Sequence, residues 1–506
     1  MSSSYFNASN GTAPVVVQGT IVVDHGTTPS TTQSALISGS DYNQALDAGE
    51  WTKGEPQPRR CQDCFWAVLF YIHLGMVGFA TIRNAPLMAQ DLAQDYASGA
   101  QRRFLEDNGD VTIDAGAVLL ILAFSGLAGF VLSSLAMLVM MNFAEGLIKL
   151  SLVFNLVIAA IMVVVSILGN VIGMAIMFGI GFLFSAYYCY IVWHKIPFAA
   201  SNLITATTAV RANIGLAFFA YSNLFTTFFW SFWWAIAFIA TSYVLGECDA
   251  QGNCQQEINA GLVFLFLVSY FWTAQVIKNV VHTTVAGTVG TFWFAPVEAN
   301  GCCSRAVRDS YWRSITTSFG SICLGSLIVA IIQALKEIVH SMREQNDSLL
   351  ACLADCILGC MESLAEYFNQ WAFVYVGLYG YSFVEAGKNV MSLFRARGWT
   401  SIIADMLVDT VLLMVSLGVG VLTGVVGVVV GSLVQNDNWT LVACFFIGMV
   451  IGFVLCSTLF SLISSAVNAT IVLYAEAPAE FQANHPQLSD QMRSAWRKAY
   501  PVEFQY

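Results

Sequence analysis

Charge is what this sequence has least of. Asp, Glu, Lys and Arg make up 10% of its residues against 57% hydrophobic, with mean hydropathy +0.67, whereas soluble domains are about a quarter charged. So much apolar surface must face lipid, and the fold class that follows is all-α, a polytopic membrane protein. Histidine is sparse as well. His25, His73, His194, His282, His340 and His485 form no His-Glu-x-x-His pair. No Gly-x-Ser-x-Gly follows a strand and no Walker loop is present, so the marks of a metalloprotease, a hydrolase and an ATP-driven pump are missing. No catalytic residue, metal or cofactor is expected, and no nucleic-acid partner. A channel or a secondary transporter in a lipid bilayer gains ground.

What is present is one long apolar run after another. A span needs roughly 20 mostly apolar residues, and ten segments qualify: 64–82, 116–141, 146–168, 171–192, 214–245, 259–285, 311–338, 371–390, 402–433 and 440–474. The stretch 281–296 either extends the sixth span or forms a re-entrant piece. About ten transmembrane helices place both termini on one side, and Lys and Arg decide which. With the termini cytoplasmic, fifteen of the 21 basic residues lie inside, including Lys149, Lys195, Arg211, Arg305, Arg308, Arg313, Lys388, Arg395 and Arg397 in short loops. Five lie outside (Arg83, Arg102, Arg103, Lys336, Arg343), and Lys278 sits within the sixth span. The excess predicts cytoplasmic termini.

Three regions follow: a disordered Ser/Thr/Gly-rich tail over 1–60, a transmembrane domain over 61–475 and a cytoplasmic C-terminal tail over 476–506. No basic segment followed by an apolar one opens the chain, so no cleaved signal peptide is expected. The plasma membrane is the expected location, with an intracellular membrane as the alternative. Cys248 and Cys254 fall in a polar outside loop, where oxidation to a disulfide is permitted. Asn438 and Asn346 head glycosylation sequons in outside loops. Cys352, Cys356 and Cys360 recur every four residues on one face of an amphipathic piece and are read as packing, since zinc needs four ligands.

Polar residues inside spans face the bundle interior or water. Trp272, Gln275 and Asn279 share one face of the sixth span, as interhelical glue or as substrate contacts. Lys278 beside them is expected to pair with an acid or snorkel inward. Trp230 and Trp234 form an aromatic stripe, a helix-packing seam or an ammonium-attracting face. In the ninth span Gly420, Gly424, Gly427 and Gly431 form pairs four apart that let helix backbones approach. Asp405 and Asp409 at its inner end are read as partners for Lys388, Arg395 or Arg397, with a proton or cation relay as the alternative.

The segment Tyr375–Val390, YVGLYGYSFVEAGKNV, carries three tyrosines, three glycines, a glutamate and a lysine. With the residues before it, it resembles the signature of the choline transporter-like family of solute carriers, matching at Ala372, Gly380, Ser382, Phe383, Glu385 and Lys388 and departing at Trp371, Phe373, Val384 and Gly387. Gly320-Ser321 and Gly325-Ser326, followed by Gln333 and Lys336, resemble a second family motif. The short first outer loop, 83–115, resembles the yeast-type branch. The resemblance implies a secondary transporter of choline or a related organic cation such as ethanolamine, by uniport or proton exchange. A non-transporting scaffold or sensor of the same fold is the alternative. A quaternary ammonium donates no hydrogen bond, so its site must rely on aromatic faces and negative charge. Tyr375 and Tyr379 share a face, Gly377 and Gly380 loosen the helix around them, and Glu385 either neutralises a cation or carries a proton, or else pairs with Lys388 or Lys278.

Overall fold

The computed structural model describes residues 54–58, 60–97, 115–169, 171–245, 247–248, 254–255, 260–302, 304–345, 349–397, 407–434 and 438–501. Hydrophobic runs this long bury their backbone hydrogen bonds internally only as helices, and helices are what form. They are α1 (Cys64–Ala97), α2 (Ala115–Leu168), α3 (Ile172–Val192), α4 (Ile196–Ala212), α5 (Gly215–Leu245), α6 (Ala260–Phe294), α7 (Arg305–Ile315) and α8 (Phe319–Gln345). The second half adds α9 (Leu349–Tyr379), α10 (Phe383–Ala396), α11 (Val408–Val434), α12 (Asn438–Glu476), α13 (Pro478–Asn484) and α14 (Pro486–Ala499). A two-residue antiparallel ladder, β1 (Glu247–Cys248) with β2 (Cys254–Gln255), places Cys248 directly opposite Cys254.

Eight helical stretches among the described residues are long and apolar enough to cross a membrane. The chain is an all-α polytopic membrane protein. The predicted second and third spans are the two arms of α2, joined at Phe143, whose φ of −131° and ψ of 30° interrupt the helix. The stretch 281–296 extends the sixth span, since α6 runs unbroken to Phe294.

Two predicted spans are corrected. The run 371–390 is not one helix: α9 ends at Tyr379, Gly380 takes φ of +80°, and α10 starts afresh at Phe383. Glycine alone enters that conformation without steric penalty, so the helix stops there. Helix α9 instead begins at Leu349 and carries the three cysteines of the amphipathic piece in its N-terminal turns. Likewise 311–338 divides at residues 316–318 into α7 and α8. Ser304 caps α7, its hydroxyl accepting from the Val307 amide.

Helix α12 lies at the centre, packed on α2, α4, α5, α6, α9 and α11. Its closest partner is α11, where a Cβ at Gly424 would sit 2.8 Å from the Phe445 carbonyl and one at Gly420 2.9 Å from that of Met449. The glycine pairs are therefore a backbone-to-backbone seam. Helices α6, α8 and α9 form a second packed group, with α1 against α5 and α8. Trp230 packs edge-on to His73, and Trp234 donates to the Phe266 carbonyl at 2.9 Å, so the aromatic stripe is a packing seam. Asp409 accepts from Ser464 at 2.6 Å; Asp405 lies outside the described residues.

Candidate functional site

The break at Gly380 gathers three aromatic rings. Tyr375 and Tyr379, one turn apart on α9, meet with centroids 5.3 Å apart, and Tyr381 beyond the break folds back to 6.3 Å from Tyr375 and 6.2 Å from Tyr379. All three are buried. Into this cluster comes Glu476, the last residue of α12, itself 6% exposed. The Tyr379 hydroxyl donates to Glu476 Oε2 at 2.7 Å, and the amide of Gly54 donates to Oε1. A carboxylate this buried persists only when hydrogen-bonded or near opposite charge. The Arg397 guanidinium is within electrostatic reach of it.

The end of α9 is held from another side by Arg313 of α7, which donates to the carbonyls of Gly377 and Leu378. A cation on the last carbonyls of a helix is favoured by its dipole. Gly377 is where α9 touches α6: a Cβ there would lie 2.5 Å from the Thr283 carbonyl. Gly325 of α8 leaves room for the rings of Phe373 and Phe383. Gly320 receives the backbone of Gln62 and Asp63, and Ser321 donates to Asp63 Oδ2 at 2.7 Å. Ser326 accepts from Asn279 at 3.0 Å.

The remaining predicted contacts lie elsewhere. Glu385 is exposed on the first turn of α10, beyond the break at Gly380, with the Ser382 hydroxyl at 3.5 Å. Trp272 is buried against α8 and α1, donating to the Cys323 carbonyl at 2.9 Å and stacking on His73. Gln275 opens a separate polar chain: it donates to Gln333 at 3.2 Å, Gln333 donates to Glu362 at 2.9 Å, and Lys336 pairs with Glu362 at 2.7 Å. Glu362 precedes Tyr379 by 17 positions on one helix, so the two polar centres are about 25 Å apart at 1.5 Å per residue. Lys278 is exposed toward the second centre, near enough for its charge to act on Glu362.

Glu476, Tyr381, Arg313, Gly54 and Asp63 were not singled out from sequence as contributors to the tyrosine cluster. Glu476 left one signal, a lone acid closing the last apolar run. Asn346 lies outside the described residues, and Asn438 opens α12.

A family model described as plasma-membrane choline transporter matches residues 176–479. Protein PNS1 of Debaryomyces hansenii is 30% identical over 378 residues, covering 70% of this chain and 71% of its own. Protein PNS1 of Mycosarcoma maydis is 28% identical over 477 residues, covering 90% and 88%. A CTL-like protein of Dictyostelium discoideum is 28% identical over 460 residues, covering 88% and 77%.

Proposed function

The chain belongs to the choline transporter-like family, and from that premise we propose that it is a secondary transporter of choline or a related organic cation such as ethanolamine, working by uniport or proton exchange. One observation supports the cation above all: a buried carboxylate, Glu476, set against the rings of Tyr375, Tyr379 and Tyr381 at a break between helices. Each aromatic face attracts an ammonium by roughly 0.5–2 kcal/mol, more as water is excluded, and a carboxylate balances the charge. Irregular backbone inside a helical bundle is where transporters commonly build such sites. The Gln275–Gln333–Glu362–Lys336 chain is the second polar centre along the same helices and marks the opposite approach to the site.

Radiolabelled choline uptake into proteoliposomes, with and without a pH gradient, tests the reading. Saturable uptake above empty vesicles is expected, and Glu476→Gln should lower apparent affinity roughly tenfold or more, the scale of one charge-assisted contact. No saturable uptake would remove choline. A second reading, a non-transporting scaffold or sensor, draws on the same geometry: Tyr379 and Gly54 already satisfy both oxygens of Glu476. A ligand-induced thermal shift without flux would favour it.

A further inference from the structure

Residues 54–58 and 60–63 carry no helix or strand, yet they are bonded to the bundle along their length. At the tip, Gly54 donates to Glu476, Glu55 donates to the Tyr381 hydroxyl at 3.2 Å and Gln57 donates to the Tyr379 carbonyl at 2.8 Å. Each of these three partners belongs to the tyrosine and glutamate cluster. Gly54 lies flat on the Tyr379 ring, and a Cβ there would be 2.5 Å from Cε2. The segment thus occupies one ring face and one carboxylate oxygen, the two features that would meet an ammonium.

At the other end it is anchored. Gln62 donates to the Thr317 carbonyl at 2.9 Å, and Asp63 accepts from Ser321 at 2.7 Å and from the Phe383 amide at 2.9 Å. Asp63 takes φ of 53°, turning the chain sharply into α1. Between tip and anchor, Pro56 and Pro58 fix φ and remove two donors, so the segment is stiff. Under it a cavity of about 90 Å³ remains, lined by Pro56, Gly290, Thr291, Arg313 and Tyr379 among others.

We propose that this segment is a gate: a stiff strap hinged at Asp63 whose tip closes one end of the pathway and must lift from Glu476 and Tyr379 before a bound cation can leave there. It rests on the transport reading above. Each end makes three hydrogen bonds, but those at the Gly54 end go to the groups of the cluster, whereas the anchor is tied to the turn before α8, to α8 itself and to the first amide of α10. Lifting the tip frees a ring face, a carboxylate oxygen and a hydroxyl together, and leaves the anchor in place.

A reversible lock tests it. The Cβ of Gln57 is 4.0 Å from a Cβ built at Gly380, within the range a disulfide spans. Gln57→Cys with Gly380→Cys, oxidised and confirmed by mass spectrometry of the linked peptide, should abolish flux. Reduction should restore it to the level of Gly380→Cys alone, the control for a side chain at that left-handed position. Separately, the chain lacking residues 1–57 is compared with the full chain by hydrogen–deuterium exchange over 375–383. Exchange should rise roughly tenfold on truncation, the scale of losing one or two net hydrogen bonds. Undiminished flux in the locked protein, or unchanged exchange on truncation, overturns the gate. Absence of flux in the unmodified protein removes the transport reading instead, and the exchange comparison then decides whether the strap covers this end.

Discussion

Tyr379 uses ring and hydroxyl for different purposes. The ring packs with Tyr375 and Tyr381 and carries Gly54 on its face, while the hydroxyl holds Glu476. The two roles separate by substitution. Tyr379→Phe keeps the ring, so choline affinity should stay within about tenfold, while thermal stability falls because Glu476 loses a donor, a loss of about 1.5–3 kcal/mol. Tyr379→Ala should lose affinity by roughly 30-fold, about 2 kcal/mol of cation–π attraction, and cost about 3–5 kcal/mol of stability through the cavity it leaves. Isothermal titration beside thermal unfolding reads both. Equal loss of affinity in the two variants would make the hydroxyl the essential group. The tyrosines were legible in the sequence because one turn of helix separates them. Glu476, 97 positions from Tyr379, reaches it only through the packing of α12. Glu385 is the nearer acid in sequence, but it is exposed beyond the turn at Gly380, whereas Glu476 is bonded to Tyr379.

At the scale of elements, apolar run length located most of the helices, and it failed where polar residues sit inside the bundle. Helix α9 holds Asp355, Glu362 and Glu366, which lower its hydropathy, so its outer half read as a separate amphipathic piece. In the structure Asp355 is paired with Arg343 at 2.8 Å and Glu362 with Lys336 at 2.7 Å, which lets those turns join the bundle. Such partners on another helix are invisible to a local window. The ladder between α5 and α6 makes its own prediction. Residues directly opposite in an antiparallel pair have Cα atoms about 4.5–5.5 Å apart, inside the disulfide range, and Cys248 faces Cys254 in that register. Digestion under non-reducing conditions should leave the fragments carrying Cys248 and Cys254 linked. Free thiols at both positions would refute the bridge.

For the whole molecule, contacts bring the first described residues to the end of α12 and to the starts of α8 and α10. Gly54 bonds Glu476 at the end of α12, and Asp63, just before α1, bonds the start of α8 and of α10. The ends of α6, α9 and α12 gather there too, since Trp293 donates to the Ala477 carbonyl at 2.8 Å and Tyr379 to Glu476. One face of the bundle therefore carries the strap, the tyrosine cluster, Arg313, α10 and the C-terminal helices. The basic residues around it, Arg305, Arg308, Lys388, Arg395 and Arg397, give that face the positive excess expected of the cytoplasm. We expect it to face inward, with the Lys336–Glu362 centre toward the outside. An impermeant thiol reagent should label Asn436→Cys, in the connection between α11 and α12, on intact cells. It should label Arg397→Cys, an exposed position beside the cluster, only after permeabilisation. The reverse pattern would turn the molecule over, making the strap an external gate and Glu476 the first acid a cation meets on its way in.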